Sequence, residues 1–167
     1  MWKLSWRADR LTGLATVIDG DTIIVAGERV RLHGIDAPEL DQTFRWRGKQ
    51  LACGMMALAA LEALTAGVTL RCEGIGRDRY GRLVAKCFSP NGVDVGRRLV
   101  SAGWALAYRR YSTDYVDAEE EARKARRGMW RGTFMKPWEW RASLAQPARR
   151  HPRRAHISVM IGSRYRR

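Results

Sequence analysis

Alternation of apolar and polar residues predicts β-strands near the start of the chain. The runs TVI, TIIVA and ERVRLHGI lie within residues 11–36, with Gly20 and Gly27 between them. In the third run the alternation is strict: Val30 and Leu32 face one side, and two arginines and a histidine face the other. Glycine between short apolar runs is typical of turns. This region therefore predicts strands joined by turns.

The rest of the chain contains three predicted helices. Apolar residues spaced three to four apart predict a helix over residues 49–66, and Gly67 follows where a helix commonly ends. A short helix is predicted over residues 93–102, before another glycine. A last helix is predicted over residues 113–127, because its acidic residues come early and its basic residues late, which suits the helix dipole.

Two more strands are predicted between the first and second helices. The runs VTLRC and RLVAKCF flank GIGRDRYG, whose glycines and aspartate suit an open loop. The segment DAPELDQTFRWRG, before the first helix, is polar and aromatic and is predicted to be a loop. Five strands with this order of helices are typical of a small closed OB-type β-barrel with helices packed outside. The predicted fold class is therefore α+β.

Length and composition fit one globular domain. The chain has 167 residues and a hydrophobic content of 46%, which is enough for one domain with a core. No apolar run approaches the roughly 20 residues that span a bilayer, so a transmembrane protein is excluded. The start, MWKLSWRADRLTG, lacks the apolar stretch of a signal peptide. We therefore expect a cytoplasmic protein, unless the chain is already processed.

The charge of the chain indicates an anionic partner. There are 31 Lys and Arg against 17 Asp and Glu, a formal net charge of +14. Nucleic acid is the first candidate for such a partner, and an acidic membrane surface is the second. No basic amphipathic helix supports the membrane, so DNA or RNA is the expected partner.

Basic residues are concentrated at the C-terminal end. Residues 141–167 contain eight arginines and no carboxylate, which leaves six of the 14 net positive charges on residues 1–140. Prolines and the lack of apolar periodicity predict a flexible basic tail, with the folded domain ending at residue 140. Just before this boundary, Trp138 and Trp140 are predicted to dock the C-terminal segment rather than to bind a ligand.

The three cysteines are predicted to be small buried groups rather than metal ligands. Cys53, Cys72 and Cys87 are an odd set, so at least one thiol is free or pairs between chains. Cys72 and Cys87 flank a predicted hairpin and could meet, but their register is open. Without a CxxC or HExxH motif a zinc site is not expected. The simplest expectation is three small buried apolar groups.

Closely spaced carboxylates are unexpected in so basic a chain. Asp19 and Asp21 occur in IDGDT, and Asp36 and Glu39 follow in IDAPE. These groups would repel a bound phosphate unless a divalent cation lay between them. On its own IDGDT is more often a turn, because Asp and Gly favour turns. Together with DAPE it indicates a metal site, and hence chemistry rather than binding alone.

Four motifs carry a family resemblance. IDGDT, RVRLHGIDAPE, RDRYGR and GMW resemble, in order and spacing over residues 15–130, those of the staphylococcal-nuclease-like (thermonuclease) family. The resemblance implies a five-stranded OB barrel with three helices. It also implies a single Ca²⁺ held by the side chains of Asp21 and Asp36 and by the backbone carbonyl of Ala37. Asp19 would lie close to this metal and act through water.

Catalytic and binding roles follow from the same resemblance. It assigns catalysis to Arg31, Glu39 and Arg82. It places four further side chains at the nucleotide pocket: Arg79, Tyr80, Tyr108 and Tyr111. The spacing of the last two, YRRY, is one residue wider than in the best-known member. The residue types suit phosphodiester chemistry, because arginine offers paired N–H donors to phosphate oxygens and a carboxylate can accept a proton from water.

The resemblance implies a calcium-dependent nuclease. Such a phosphodiesterase would hydrolyse DNA and RNA with little sequence preference, leave 3′-phosphates and favour single-stranded or frayed substrates, and we expect it to act as a monomer. The alternative is a non-catalytic OB barrel that binds nucleic acid or a protein partner. The carboxylates of Asp21, Asp36 and Glu39 argue against the alternative, because a pure binder has no physical need for them.

Overall fold

The computed structural model describes residues 10–145. Within them the strands are β1 (Arg10–Val17), β2 (Thr22–Val25), β3 (Glu28–Leu32), β4 (Ile35–Asp36), β5 (Phe44–Trp46), β6 (Lys49–Leu51), β7 (Thr69–Arg77), β8 (Leu83–Phe88) and β9 (Leu106–Ala107). The helices are α1 (Cys53–Thr65), α2 (Val95–Ser101), α3 (Val116–Lys124) and α4 (Pro137–Ala145), and a 3₁₀ turn covers Gly128–Arg131. Two ranges lie outside this part: residues 1–9, where no signal peptide was predicted, and residues 146–167, which are most of the predicted tail.

Five strands close into a barrel in the order β1–β2–β3–β8–β7. β3 and β8 pair in parallel, with Val30 opposite Leu83. The other four pairs, including the β1–β7 pair that closes the barrel, are antiparallel. The remaining strands form two separate two-stranded sheets, β4–β9 and β5–β6. The predicted α+β fold with a five-stranded OB-type barrel is confirmed, with four α-helices among the described residues rather than three.

The inward faces of the strands form the core. Val30 and Leu32 of β3 are buried, whereas Arg29 and Arg31 between and beside them are not, as the strict alternation predicts. Helix α1 covers the barrel with Leu61, which is 0% exposed. Each fully buried leucine or valine contributes about 1.5–3 kcal/mol relative to an exposed one. The barrel is therefore a rigid support for side chains at its rim.

The connecting segments differ from their predicted form. Helix α1 begins at Cys53 rather than at residue 49, because residues 49–51 form β6 and pair with β5, which lies in the segment predicted to be a loop. This hairpin turns at Arg47 and Gly48, which both have positive φ angles, 49° and 73°. β7 continues to Arg77 through a bulge, so the predicted open loop is largely strand. Neither feature has the simple alternation from which the other strands were predicted.

Two of the cysteines are not thiols. Cys72 and Cys87 lie opposite each other in the β7–β8 register, with Cα atoms 4.0 Å apart, and they form a disulfide. The sequence left this pairing open, because only the register of β7 and β8 brings the two side chains to the same side of the sheet. Cys53 is a free, buried thiol, as predicted. Burial raises its pKa to about 11.

Helix α4 extends past the predicted end of the folded domain. Arg141 and the residues up to Ala145 are helical, so the tail does not begin at residue 141. The division into a domain and a flexible tail otherwise stays a prediction, because residues 146–167 are not described. Among the described residues, no helix combines the length and the apolar character needed to cross a bilayer.

Candidate functional site

Three of the predicted site residues meet at the rim of the barrel. Asp21 precedes β2, Arg31 lies on β3, and Asp36 ends β4. The Arg31 guanidinium joins the two carboxylates: Nη1 donates to Asp21 Oδ1 at 2.9 Å, and Nη2 donates to Asp36 Oδ1 at 3.0 Å. Pairing of β4 with β9 holds Asp36 in place, with Leu106 as its partner residue. Tertiary structure thus brings Asp21 together with Arg31 and Asp36, which follow it in the chain by 10 and 15 positions.

The turn before β2 fixes the position of Asp21. The carboxylate of Asp19 accepts a hydrogen bond from the Asp21 backbone N–H at 3.0 Å, an interaction that stabilises a turn. A Cβ on Gly20 would lie 2.6 Å from the Cβ of Ala37, so only glycine allows this close approach. The Ala37 N–H then donates to Asp21 Oδ2 at 3.1 Å. Asp19 and Ala37, both predicted near the metal, therefore lie beside Asp21.

The two aspartates are almost inaccessible to water. Asp21 is 5% exposed and Asp36 is 0% exposed. Burial raises the pKa of Asp21 to about 6, and the Arg31 guanidinium only partly offsets this. Burial alone would lower the pKa of Arg31, but the charges of Asp21 and Asp36 raise it. Buried ion pairs contribute little net stability, so this arrangement is better explained by function than by folding.

Glu39 lies at the same rim on a loop with several anchors. Its backbone N–H donates to Gln42 Oε1 at 3.3 Å, and its carbonyl accepts from the Gln42 N–H at 2.8 Å. Gln42 is 0% exposed and donates through Nε2 to the carbonyl of Met135 at 2.6 Å. The Glu39 side chain itself is 41% exposed. Sequence reasoning missed Gln42, because a glutamine in a polar loop has no distinguishing pattern.

Arg141 is a site residue that the sequence did not predict. From helix α4 its Nη1 donates to Glu39 Oε1 and its Nη2 donates to Asp36 Oδ2, both at 2.7 Å. Burial would lower its pKa, but the hydrogen bonds to the two carboxylates raise it. The adjacent Trp138 stacks on Tyr108, with ring centroids 5.5 Å apart. Docking by Trp138 was predicted, and it was the one available signal that this segment returns to the barrel.

The second predicted catalytic arginine lies beside this cluster. Arg82 donates through Nε to Asp78 Oδ2 at 2.7 Å and through Nη1 to Thr22 Oγ1 at 3.3 Å. Thr22 in turn donates to Asp21 Oδ1 at 3.1 Å. A chain of hydrogen bonds therefore connects Arg82 with the buried carboxylate, and the Arg82 side chain, 21% exposed, lies at the surface of the cluster.

The predicted pocket residues form two separate groups. Tyr80 is 68% exposed, and the guanidinium carbons of Arg79 and Arg82 lie 4.8 and 5.6 Å from its ring centroid. Tyr108 and Tyr111 form the second group, with their rings in edge contact and the ring centroids 5.0 Å apart. A cleft of about 470 Å³ is lined by Tyr80 and Arg82, together with Gly27 and the first residues of β3, but by none of the carboxylates of Asp21, Asp36 and Glu39. This cleft therefore borders the carboxylate cluster without containing it.

A family model described as staphylococcal nuclease homologue matches residues 29–132. The chain belongs to this nuclease family. The predicted membership is thus confirmed, and it supports nuclease activity, the hydrolysis of phosphodiester bonds in nucleic acids.

Several curated proteins resemble this nuclease homologue. Succinoglycan biosynthesis protein ExoI of Rhizobium meliloti (strain 1021) is 44% identical over 134 residues, covering 74% of this chain and 66% of the relative. An uncharacterized endonuclease of Escherichia coli O157:H7 is 37% identical over 132 residues, covering 75% and 80%. Micrococcal nuclease of Shigella flexneri is 32% identical over 151 residues, covering 80% and 82%. The chain spans just under two thirds of the first of these relatives and about four fifths of the other two.

The donor types of the nuclease homologue suit a hard divalent cation. Carboxylate and carbonyl oxygens are the ligands that Ca²⁺ prefers, and Asp21, Asp36 and Ala37 lie together. In the described residues, however, no three His, Cys, Asp or Glu side chains are grouped so that they could hold an ion. The oxygens of Asp36 instead accept hydrogen bonds from Arg31 and Arg141. Calcium binding therefore stays a prediction for this site.

Proposed function

We propose that this protein is a calcium-dependent phosphodiesterase that hydrolyses DNA and RNA with little sequence preference. We further propose that it leaves 3′-phosphates and favours single-stranded or frayed substrates. The observation that carries the proposal is the bridge from Arg31 to the buried carboxylates of Asp21 and Asp36, with Glu39 at the same rim. Ionisable groups of opposite sign in contact at a barrel rim, with a further carboxylate beside them, are typical of a reaction site.

The arginines supply charge stabilisation. A phosphodiester under attack carries extra negative charge on its oxygens, so catalysis depends on positioning and on fixed positive groups. Arg31 is held by two buried carboxylates, and Arg82 is held by Asp78. Neither guanidinium has to reorganise far, and each has a planar fork of donors that matches two phosphate oxygens.

Glu39 is the proposed general base. Its carboxylate is the most exposed of the three acidic groups at the rim, so water can reach it. Accepting a proton from an attacking water contributes about 10²- to 10⁴-fold in rate. When bound, Ca²⁺ would neutralise charge on the phosphate and would be held by Asp21, Asp36 and the Ala37 carbonyl. The backbone hydrogen bonds with Gln42 keep the base in position.

The carboxylates do not favour the alternative of a non-catalytic binding module. Asp21 and Asp36 are buried, and each buried carboxylate costs free energy that only a bound cation or a paired arginine offsets. A module that holds polyanions would gain from replacing them with neutral residues. The basic charge of the chain suits both functions, so only the acidic residues distinguish them.

A metal-dependence assay with a matched variant tests the proposal. Purified full-length protein should degrade single-stranded DNA and RNA in CaCl₂, and EGTA should stop the reaction. Glu39→Gln should lose about 10²- to 10⁴-fold in rate, whereas Glu120→Gln, at an exposed position of α3, should keep full activity. Cleavage that persists in EGTA would reject the calcium dependence. Equal rates in Glu39→Gln and the native protein would reject the base assignment.

A further inference from the structure

Arg141 binds the same oxygens that a cation would use. Asp36 Oδ2 accepts from Arg141 Nη2 at 2.7 Å, and Asp36 Oδ1 accepts from Arg31 at 3.0 Å and from Arg141 Nη1 at 3.2 Å. Both oxygens of this fully buried carboxylate are thus engaged by guanidinium groups. The same Nη1 also holds Glu39 at 2.7 Å.

We propose that Arg141 is a built-in cation of the site, which competes with the divalent ion for Asp36 and holds Glu39 while the ion is absent. This inference rests on the proposed function. A metal ion bound to Asp36 at 2.3–2.6 Å would place two positive charges next to the guanidinium of Arg141. Repulsion at such a distance within a water-poor site is strong, so ion binding requires Arg141 to leave Asp36.

The side chain of Arg141 can move away from the carboxylates more easily than the side chain of Arg31. The Arg141 side chain is 40% exposed, whereas the Arg31 side chain is only 20% exposed and also donates to the backbone carbonyl of Ile35 at 3.4 Å. Arginine has a long flexible stem, and at the surface its charge can move into water at low cost. Release of Arg141 would free Glu39 at the same moment, because one guanidinium binds both carboxylates. Ion binding and release of the base are therefore coupled.

Helix α4 has anchors that do not depend on Arg141. Trp138 stacks on Tyr108, and the carbonyl of Met135 accepts a hydrogen bond from the buried amide of Gln42. Trp138 also packs against a cluster of buried apolar residues that includes Phe44 and Met129. Replacement of Arg141 therefore leaves the helix seated, so that Arg141→Gln tests competition rather than loss of the segment.

Isothermal titration of CaCl₂ into metal-free full-length protein tests the proposal without reference to activity. Arg141→Gln should bind Ca²⁺ at least about tenfold more tightly than the native chain, a change of about 1.4 kcal/mol. Lys136→Gln is the matched control, because it removes one positive charge from the same segment, and the Lys136 side chain contacts Glu139 and Trp138 rather than Asp36 or Glu39. Its calcium affinity should stay within about twofold of the native value.

The possible results separate the two proposals. If the native chain binds Ca²⁺ and Arg141→Gln, with native circular dichroism, binds it no more tightly, competition by Arg141 is rejected and the proposed function stands. An equal gain of calcium affinity in Lys136→Gln would also reject competition by Arg141, since the loss of any positive charge from this segment would then explain the effect. If no variant binds Ca²⁺, the calcium dependence and the competition are both rejected.

Discussion

The carbonyl of Glu39 lies directly against Gly54, in the first turn of helix α1. A Cβ built on Gly54 would be 1.8 Å from this oxygen, a distance that no real contact allows. The Gly54 N–H also donates to the carbonyl of Gln42 at 3.2 Å. Since α1 is fixed to the barrel by buried residues such as Leu61, the helix determines where the loop carrying Glu39 lies.

We expect Gly54→Ala to impair both folding and activity. The added methyl group must push the Glu39 loop away, which should lower the free energy of unfolding by about 1–3 kcal/mol and reduce the nuclease rate. Gly76→Ala is the control, because nothing lies within 4 Å of its Cβ position and its φ angle is not positive. Urea denaturation and rate measurements on both variants check this. Native stability and rate in Gly54→Ala would contradict the close contact.

The two site arginines should differ in their effect on stability. Arg31→Gln leaves Asp21 and Asp36 without their shared partner in a buried setting, which should cost about 3 kcal/mol of unfolding free energy. Arg82 forms its ion pair at the rim with Asp78 and otherwise contacts the uncharged Thr22 and Tyr80, so Arg82→Gln should cost less than about 1 kcal/mol. Both changes should lower the cleavage rate strongly. Thermal unfolding of the two variants provides the measurement, and equal destabilisation would contradict the different roles of the two arginines in the fold.

The cysteines should react with a thiol reagent in a defined pattern. Native protein should not react at pH 8 within minutes, because Cys53 is buried and its pKa is raised to about 11. Denatured, unreduced protein should release one equivalent of chromophore from Ellman's reagent. Denatured and reduced protein, freed of reductant, should release three, since the Cys72–Cys87 disulfide is then open. Three equivalents without reduction would show that this disulfide is absent.

Protonation of His33 should lower stability in mild acid. Burial and the nearby Lys86 lower the pKa of His33, although Asp114 and Asp94 act in the opposite direction. The unfolded chain therefore takes up the proton more readily than the folded one, so this contribution to stability is lost as the pH falls below about 6.5. Between pH 7 and pH 5, His33→Gln should lose less unfolding free energy than the native chain in urea titrations. An equal loss in both would contradict the lowered pKa.

Most of the barrel could be predicted because its signals are local. Alternation in strands such as β3 depends on neighbouring residues, and each turn glycine acts on its own backbone. The pairing of Cys72 with Cys87 could not be predicted, because a register shift of one residue would put the two side chains on opposite faces. The β5–β6 hairpin was missed for a related reason, since its turn places an arginine, Arg47, at a positive φ angle that most residues avoid.

The sequence alone determined the family, the barrel and all the acidic and basic groups at its rim that lie in short motifs such as IDGDT and IDAPE, because such motifs lie within short stretches of chain. Only the tertiary structure decided which charges touch. Arg141 meets Asp36 across 105 positions, from a helix whose residues show no clear apolar periodicity. Such a contact depends on where Trp138 and Gln42 anchor that helix on the barrel, and packing between distant segments leaves no repeating pattern in the sequence.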